Sequence, residues 1–188
     1  MADAEPSDED LIAHYAGGEV AAFERLYRRH ELRVWRYLER TVRDRAAADD
    51  LMQDVWFSVA REAAGYRPTA RFTTWLFTIA HHRAIDWLRA RRPHASLDDP
   101  DGSAVVAAAL VDPAPGPEHA AVRADEGAQL LAAVAALPVE QRDAFLLQAE
   151  GGLSVEEIAA ATGTNFETAK SRLRYARARL RGQLAEVE

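Results

Sequence analysis

The chain has 188 residues and a formal net charge of −7, a length that suits one domain or two small ones. With 48% hydrophobic residues it can build cores, so a wholly disordered chain is excluded. It has no Cys, which rules out disulfides, thiol catalysis and Cys-ligated zinc. The acidic start, MADAEPSDED, lacks the apolar run of a signal peptide, and no stretch approaches the ~18 apolar residues of a membrane span. The expectation is a soluble, cytoplasmic protein without membrane insertion.

Charge is distributed unevenly. Residues 1–10 carry five acids and no base. The next segment, EVAAFERLYRRHELRVWRYLERTV, places Phe23, Leu26, Tyr27, Val34, Trp35, Leu38 and Val42 at the 3.6-residue period of an amphipathic helix. AAADDLMQDVWFSVAREAA repeats the pattern with Leu51, Met52, Val55, Trp56 and Val59. Gly65 and Pro68 break the chain, and TARFTTWLFTIAHHRAIDWLRARR resumes it with Phe72, Trp75, Leu76, Ile79, Ala80 and Leu88. Residues 71–92 hold five Arg against the single acid Asp86, the first basic island.

Five of the eight prolines then fall between Pro93 and Pro117, with Asp98, Asp99, Asp101 and Asp112 and no Lys or Arg. That composition cannot continue a helix and reads as an acidic linker over 93–117. Its apolar run, Ala104 to Val111, reads as a helical turn or loose spacer, with docking elsewhere as the alternative. The division expected is 1–92, 93–117 and 118–188. No run shows strict apolar alternation, so the fold class is all-α: two small helical domains, the second a helix-turn-helix.

That assignment rests on GGLSVEEIAAATGTNFETAK. Ser154 followed by Glu157 is a capping-box pattern that starts a helix at Val155, with Val155, Ile158 and Ala159 inward. Gly163 ends it in a left-handed turn, and Thr164 followed by Glu167 offers a second capping box for the next helix. On that helix Ala169, Leu173, Ala176 and Leu180 form an apolar seam. Lys170, Arg174, Arg177 and Arg181 repeat its spacing one residue later, about 100° round the axis. A cationic stripe beside a packing seam suits a helix in a DNA groove, meeting phosphates and base edges. A solvated basic face and a membrane-surface helix are the alternatives; a membrane helix would want bulkier apolar residues than the two Ala of the seam.

At these residues LPVEQRDAFLLQAEGGLSVEEIAAATGTNFETAKSRLRYARARLR resembles the promoter-reading domain of bacterial sigma factors. AAFERLYRRHELRVWRYL, ADDLMQDVWFSVAR and FTTWLFTIAHHRAIDWLRARR resemble, in order, the blocks of their promoter-melting domain. The compact layout is similar to the extracytoplasmic-function (ECF) group of the sigma-70 family. The resemblance implies a transcription initiation factor that is not an enzyme, and no cofactor or metal is expected. It binds core RNA polymerase and promoter DNA and is commonly held by an anti-sigma factor.

The resemblance also implies site residues. The polymerase contact falls on Asp50, Gln53, Asp54 and Phe57, one helical face with an aromatic anchor, and Asp49 extends its acidic rim. The −10 element falls to Phe72, Thr73, Trp75, His81, His82, Arg83 and Arg89, where aromatic and Arg side chains stack on unpaired bases. His82 stands where the family commonly has Asn, and Trp75, with Leu76 and Ile79, reads as core more than as contact. The −35 element falls to Thr168, Lys170, Ser171, Arg172, Arg174, Tyr175 and Arg177. Glu167 would repel phosphate unless it caps the helix or accepts from a cytosine amino group, and the cap is the simpler reading.

Adjacent His81 and His82 diverge by about 100° on a helix and cannot share one ion. The rival readings are a helix-turn-helix regulator that binds its operator without polymerase, as a dimer, and an interaction protein whose basic helix meets an acidic partner. The N-terminal blocks favour the sigma reading over both.

Overall fold

The computed structural model describes residues 5–91 and 118–185. The linker expected over 93–117, with its apolar run Ala104 to Val111, lies outside the described residues, among which there is no strand. Among the described residues eight α-helices follow one another: α1 Asp8–Ala16, α2 Val20–Val42, α3 Arg45–Glu62, α4 Phe72–Arg91, α5 Glu118–Ala135, α6 Val139–Ala149, α7 Val155–Ala161 and α8 Phe166–Ala185. A short 3₁₀ turn, Ala63–Gly65, closes α3.

The acidic start hides a helix that periodicity does not reveal. Ser7 Oγ accepts from Asp10 N–H at 3.1 Å while the Asp10 carboxylate accepts from Ser7 N–H at 3.2 Å, a complete capping box. Asp8, Glu9 and Asp10 fill the first turn, where the helix dipole favours anions. The helix buries Leu11 and Ile12, and two of its acids hold other elements. Asp8 accepts from Arg29 and lies 2.8 Å from His30 Nε2; Glu9 accepts from Phe72 N–H at 2.8 Å and so caps α4.

Helices α2, α3 and α4 pack together around the expected residues. Leu26, Val34, Leu38 and Val42 of α2, all five expected apolar residues of α3, and Phe72, Leu76 and Ala80 of α4 are buried. Phe23 and Tyr27 are partly buried and sandwich Trp56, at 5.7 and 5.0 Å between ring centroids. Arg43, at φ 59°, turns α2 into α3, whose N-cap Asp44 accepts from Ala47 N–H.

In the second unit the Ser154–Glu157 capping box is present in both directions, and Gly163 is left-handed at φ 64°. Ala169, Leu173, Ala176 and Leu180 of α8 are all buried, as the seam requires. The second cap is a correction. Asn165 Oδ1, not Thr164, accepts from Thr168 N–H at 2.8 Å, and Thr164 Oγ1 instead meets Thr162 Oγ1 at 3.0 Å. Asn reaches the open N–H groups from one residue nearer. Glu167 is therefore no cap; it lies 3.7 Å from Lys170 Nζ.

The two units are docked, α6 against α2 and α7 against α4. Gly151 lies where a side chain would not fit, between its own unit and Phe77 of α4. A Cβ there would sit 3.0 Å from Phe77 Cγ, 2.7 Å from Leu153 Cδ1 and 2.5 Å from the Leu147 carbonyl oxygen.

Candidate nucleic-acid and polymerase interfaces

The seam of α8 fixes its rotation, so the stripe one residue on must face outward. Lys170, Arg174, Arg177 and Arg181 are all exposed, as is Tyr175, while Thr168, Ser171 and Arg172 are half-buried along the same helix. Arg174 lies 5.0 Å over the Tyr175 ring and donates to its hydroxyl at 3.3 Å. Arg177 donates to Gln148 Oε1 on α6. Thr168, Ser171, Arg172 and Tyr175 meet Gln141, Asn165 and Glu167 around a shallow groove of about 380 Å³. Gln141 was not legible as part of this site, because only folding brings α6 beside α8. Its Oε1 is buried without a donor among the described residues.

The seven α4 residues divide. His82 and Arg89 are exposed, and Thr73 and Trp75 are half-buried. Partial burial of the ring first, and the neighbouring His81 second, keep the His82 pKa below the usual imidazole value. Three residues are already engaged within the protein in this arrangement. Phe72 is fully buried, against His30, Tyr66 and Trp75, and offers no stacking surface. Arg83 donates to the buried Ser58 hydroxyl at 2.9 Å. His81 is buried and turned toward the second unit, its Nδ1 3.0 Å from Asp143 Oδ2. A helical face that carries both core and contact residues cannot be divided by periodicity alone.

On α3, Asp50, Gln53, Asp54 and Phe57 are exposed together, and Phe57 keeps 69% of its surface in solvent. An exposed ring of that size, rimmed by acids, is the feature of a protein-binding anchor. Asp49 is held in place by the Trp35 indole N–H at 2.7 Å, with Arg45 lying 5.6 Å over the same ring. Trp35 is thus a support for the acidic rim, which its apolar character in the sequence concealed.

Between the units lies a dense polar contact. Arg71 donates through Nε and Nη2 to both oxygens of Glu157, and Thr74 Oγ1 donates to the same carboxylate at 2.6 Å. These bonds, Arg71 foremost, hold Glu157 down at about 2. The Tyr37 hydroxyl donates to Asp143 at 2.6 Å; burial, and then that carboxylate, push the phenol well above its ordinary range. Arg40 pairs with Glu150. Buried Arg142 donates to the carbonyls of Thr41, Ala135 and Leu137, and burial lowers it to about 10.

Among the described residues no group of three or more His, Cys, Asp or Glu is placed to hold a metal, and no helix is long and apolar enough to cross a membrane.

Comparison with known proteins matches both units. Sigma-70 region 2 matches residues 26–94 and Sigma-70, region 4 matches residues 127–180. The RNA polymerase sigma factor CarQ of Myxococcus xanthus is 36% identical over 177 residues, 94% of this chain and 97% of that protein. The ECF RNA polymerase sigma factor SigM of Mycobacterium tuberculosis is 33% identical over 94% of this chain and 84% of its own length. Among solved structures, CnrH in complex with the cytosolic domain of CnrY shares the fold at a TM-score of 0.68 and 23% identity, over 97% of this chain and 100% of that one. The sigma factor RpoE, solved with the anti-sigma factor NepR from Bartonella quintana, shares it at 0.67 and 24%, over 87% of this chain and 96% of that one. The chain belongs to the sigma-70 family of RNA polymerase sigma factors, in its extracytoplasmic-function group.

Proposed function

We propose that this chain brings core RNA polymerase to promoters, reading a −35 element with α8 and a −10 element with the exposed residues of α4, and that it is a cytoplasmic factor with no enzymatic activity of its own. The observation that carries the reading is the exposed stripe Lys170, Arg174, Arg177 and Arg181 set beside a fully buried seam. Asp50, Gln53, Asp54 and Phe57 form the polymerase-binding face of the same molecule. An anti-sigma factor is a further partner in this reading, as NepR is for RpoE.

The two promoter elements lie about 25 base pairs apart, on the order of 85 Å of duplex at ~3.4 Å per base pair. A compact chain of this length has a radius of gyration of roughly 16 Å. The docked units cannot reach both elements, so they part when the factor works on a promoter. Run-off transcription with core polymerase over a library of promoter fragments tests the proposal. Initiation that depends on the factor, with two enriched elements, is the expected result. A footprint by the protein alone on an operator, with no transcription, would sink it.

A further inference from the structure

We propose that the face of α2 and α4 covered by the second unit binds the phosphate backbone of promoter DNA once the units part, with Arg33, Arg40 and Arg71 as its cations. This rests on the sigma-factor reading above. It is carried by an asymmetry in the contact: among the described residues every carboxylate that crosses it comes from the second unit. Asp143 meets Tyr37 and His81, Glu150 meets Arg40, and Glu157 meets Arg71 and Thr74. The guanidinium that crosses the other way, Arg142, reaches a backbone carbonyl, that of Thr41.

The three carboxylates recur at intervals of seven residues, and the groups that receive them line two packed helices. Arg33, Tyr37 and Arg40 share one face of α2 at i, i+4 and i+7; Arg71 and Thr74 stand at the start of α4. Arg33 lies 5.9 Å over the Phe77 ring beside Gly152 and has no carboxylate partner among the described residues. A row of fixed anions held by guanidinium and hydroxyl donors is the chemistry of a phosphate backbone, which the second unit here imitates. Separation would strip Arg40 and Arg71 of their acids and uncover Arg33, on the same domain that carries Thr73, Trp75 and His82. Uncovered guanidiniums there would lower the free energy of the nucleic acid lying along α4.

The test uses the full-length chain with Arg33→Gln and Arg40→Gln together. Two affinities are measured: that of the variant for core polymerase, and that of the resulting holoenzyme for a promoter fragment over a KCl series. Core affinity is expected within twofold of wild type. Promoter affinity should fall about tenfold, and the slope of log K against log salt should become shallower by roughly one to two, at ~0.9 per lost phosphate contact. The Arg33→Lys, Arg40→Lys pair should recover most of the loss, and Glu150→Gln, which removes only an imitating acid, should bind promoter as well as wild type or better. Unchanged or tighter promoter binding by the Gln pair, with an unchanged slope, would show that these cations only hold the units together and would overturn the proposal. Loss of core affinity would overturn it too, reassigning the face to polymerase. A wild-type holoenzyme without promoter preference would instead defeat the sigma reading, and that arm is read independently of the variants.

Discussion

The guanidinium of Arg71 forks onto the carboxylate of Glu157, Nε at 3.1 Å from Oε1 and Nη2 at 2.6 Å from Oε2, while that same carboxylate accepts from Ser154 N–H at 2.8 Å. One side chain thus both caps the first helix of the helix-turn-helix and ties it to the start of α4. The two roles differ chemically. The cap needs an acceptor, which Gln supplies as well as Glu; the tie needs a charge.

Glu157→Gln should therefore keep α7 intact and loosen the docked units. The pKa of Glu157 in the folded protein, about 2, lies below its ordinary 4.5, so the carboxylate contributes stability above pH 4.5 that is lost as pH falls toward 2. With 55% of the Arg71 side chain in solvent, the contribution is about 1 kcal/mol. Thermal unfolding from pH 6 to pH 2 should show a shallower decline in the variant. Equal declines would remove Glu157 from the account.

Tyr37→Phe deletes the hydroxyl that reaches Asp143 across the contact. It leaves a buried carboxylate short of a donor, at a cost of about 1–3 kcal/mol. Urea denaturation measures it, and a loss below a few tenths would mean His81 alone satisfies Asp143.

Asn165→Ala should destabilise the second unit by about 1 kcal/mol, the ordinary loss of an N-cap. Thr164→Ala should cost less, because its hydroxyl meets that of Thr162 and caps no helix N–H among the described residues. The reverse ranking in parallel melts would restore Thr164 as the cap.

Lys170→Ala with Arg174→Ala should abolish initiation that depends on the −35 element while leaving core binding unchanged. Both side chains are exposed, and their contacts, with Glu167 and Tyr175, lie within α8 itself, so the fold loses little with them. Transcription and core-binding assays on one preparation decide the matter, and a variant that no longer bound core would mark α8 as part of the polymerase interface.

Asp54→Ala with Phe57→Ala should weaken polymerase binding by ~2–4 kcal/mol, the scale of an interface hot spot. Circular dichroism should be unaltered, since both residues lie outside the core. Undiminished affinity would move the interface elsewhere.

What was legible in the sequence followed from what repeats. The period of α2, α3 and α8 gave their buried faces, and two residues four places apart in register are enough to orient a helix. The Ser154–Glu157 box was legible because its chemistry is local. Helix α1 was not anticipated, because its acids outnumber the apolar pair Leu11 and Ile12, yet Asp8 and Glu9 act as partners for Arg29, His30 and Phe72 N–H. Gln141 and Trp35 gain their roles only from elements brought alongside. His81 shows the limit most clearly. Its sequence neighbours place it among nucleic-acid residues, whereas its present partner, Asp143, lies 62 positions away.

Glu9 caps a helix that begins 63 residues later. The segment that opens the first unit thus supplies the acceptor for an N–H at the start of the helix that ends it, with no residue beyond 91 taking part. Helix α1 is therefore a structural member of the unit rather than an appendage: without Glu9 the first N–H of α4 loses its acceptor, and with it one of the contacts that fix where that helix begins.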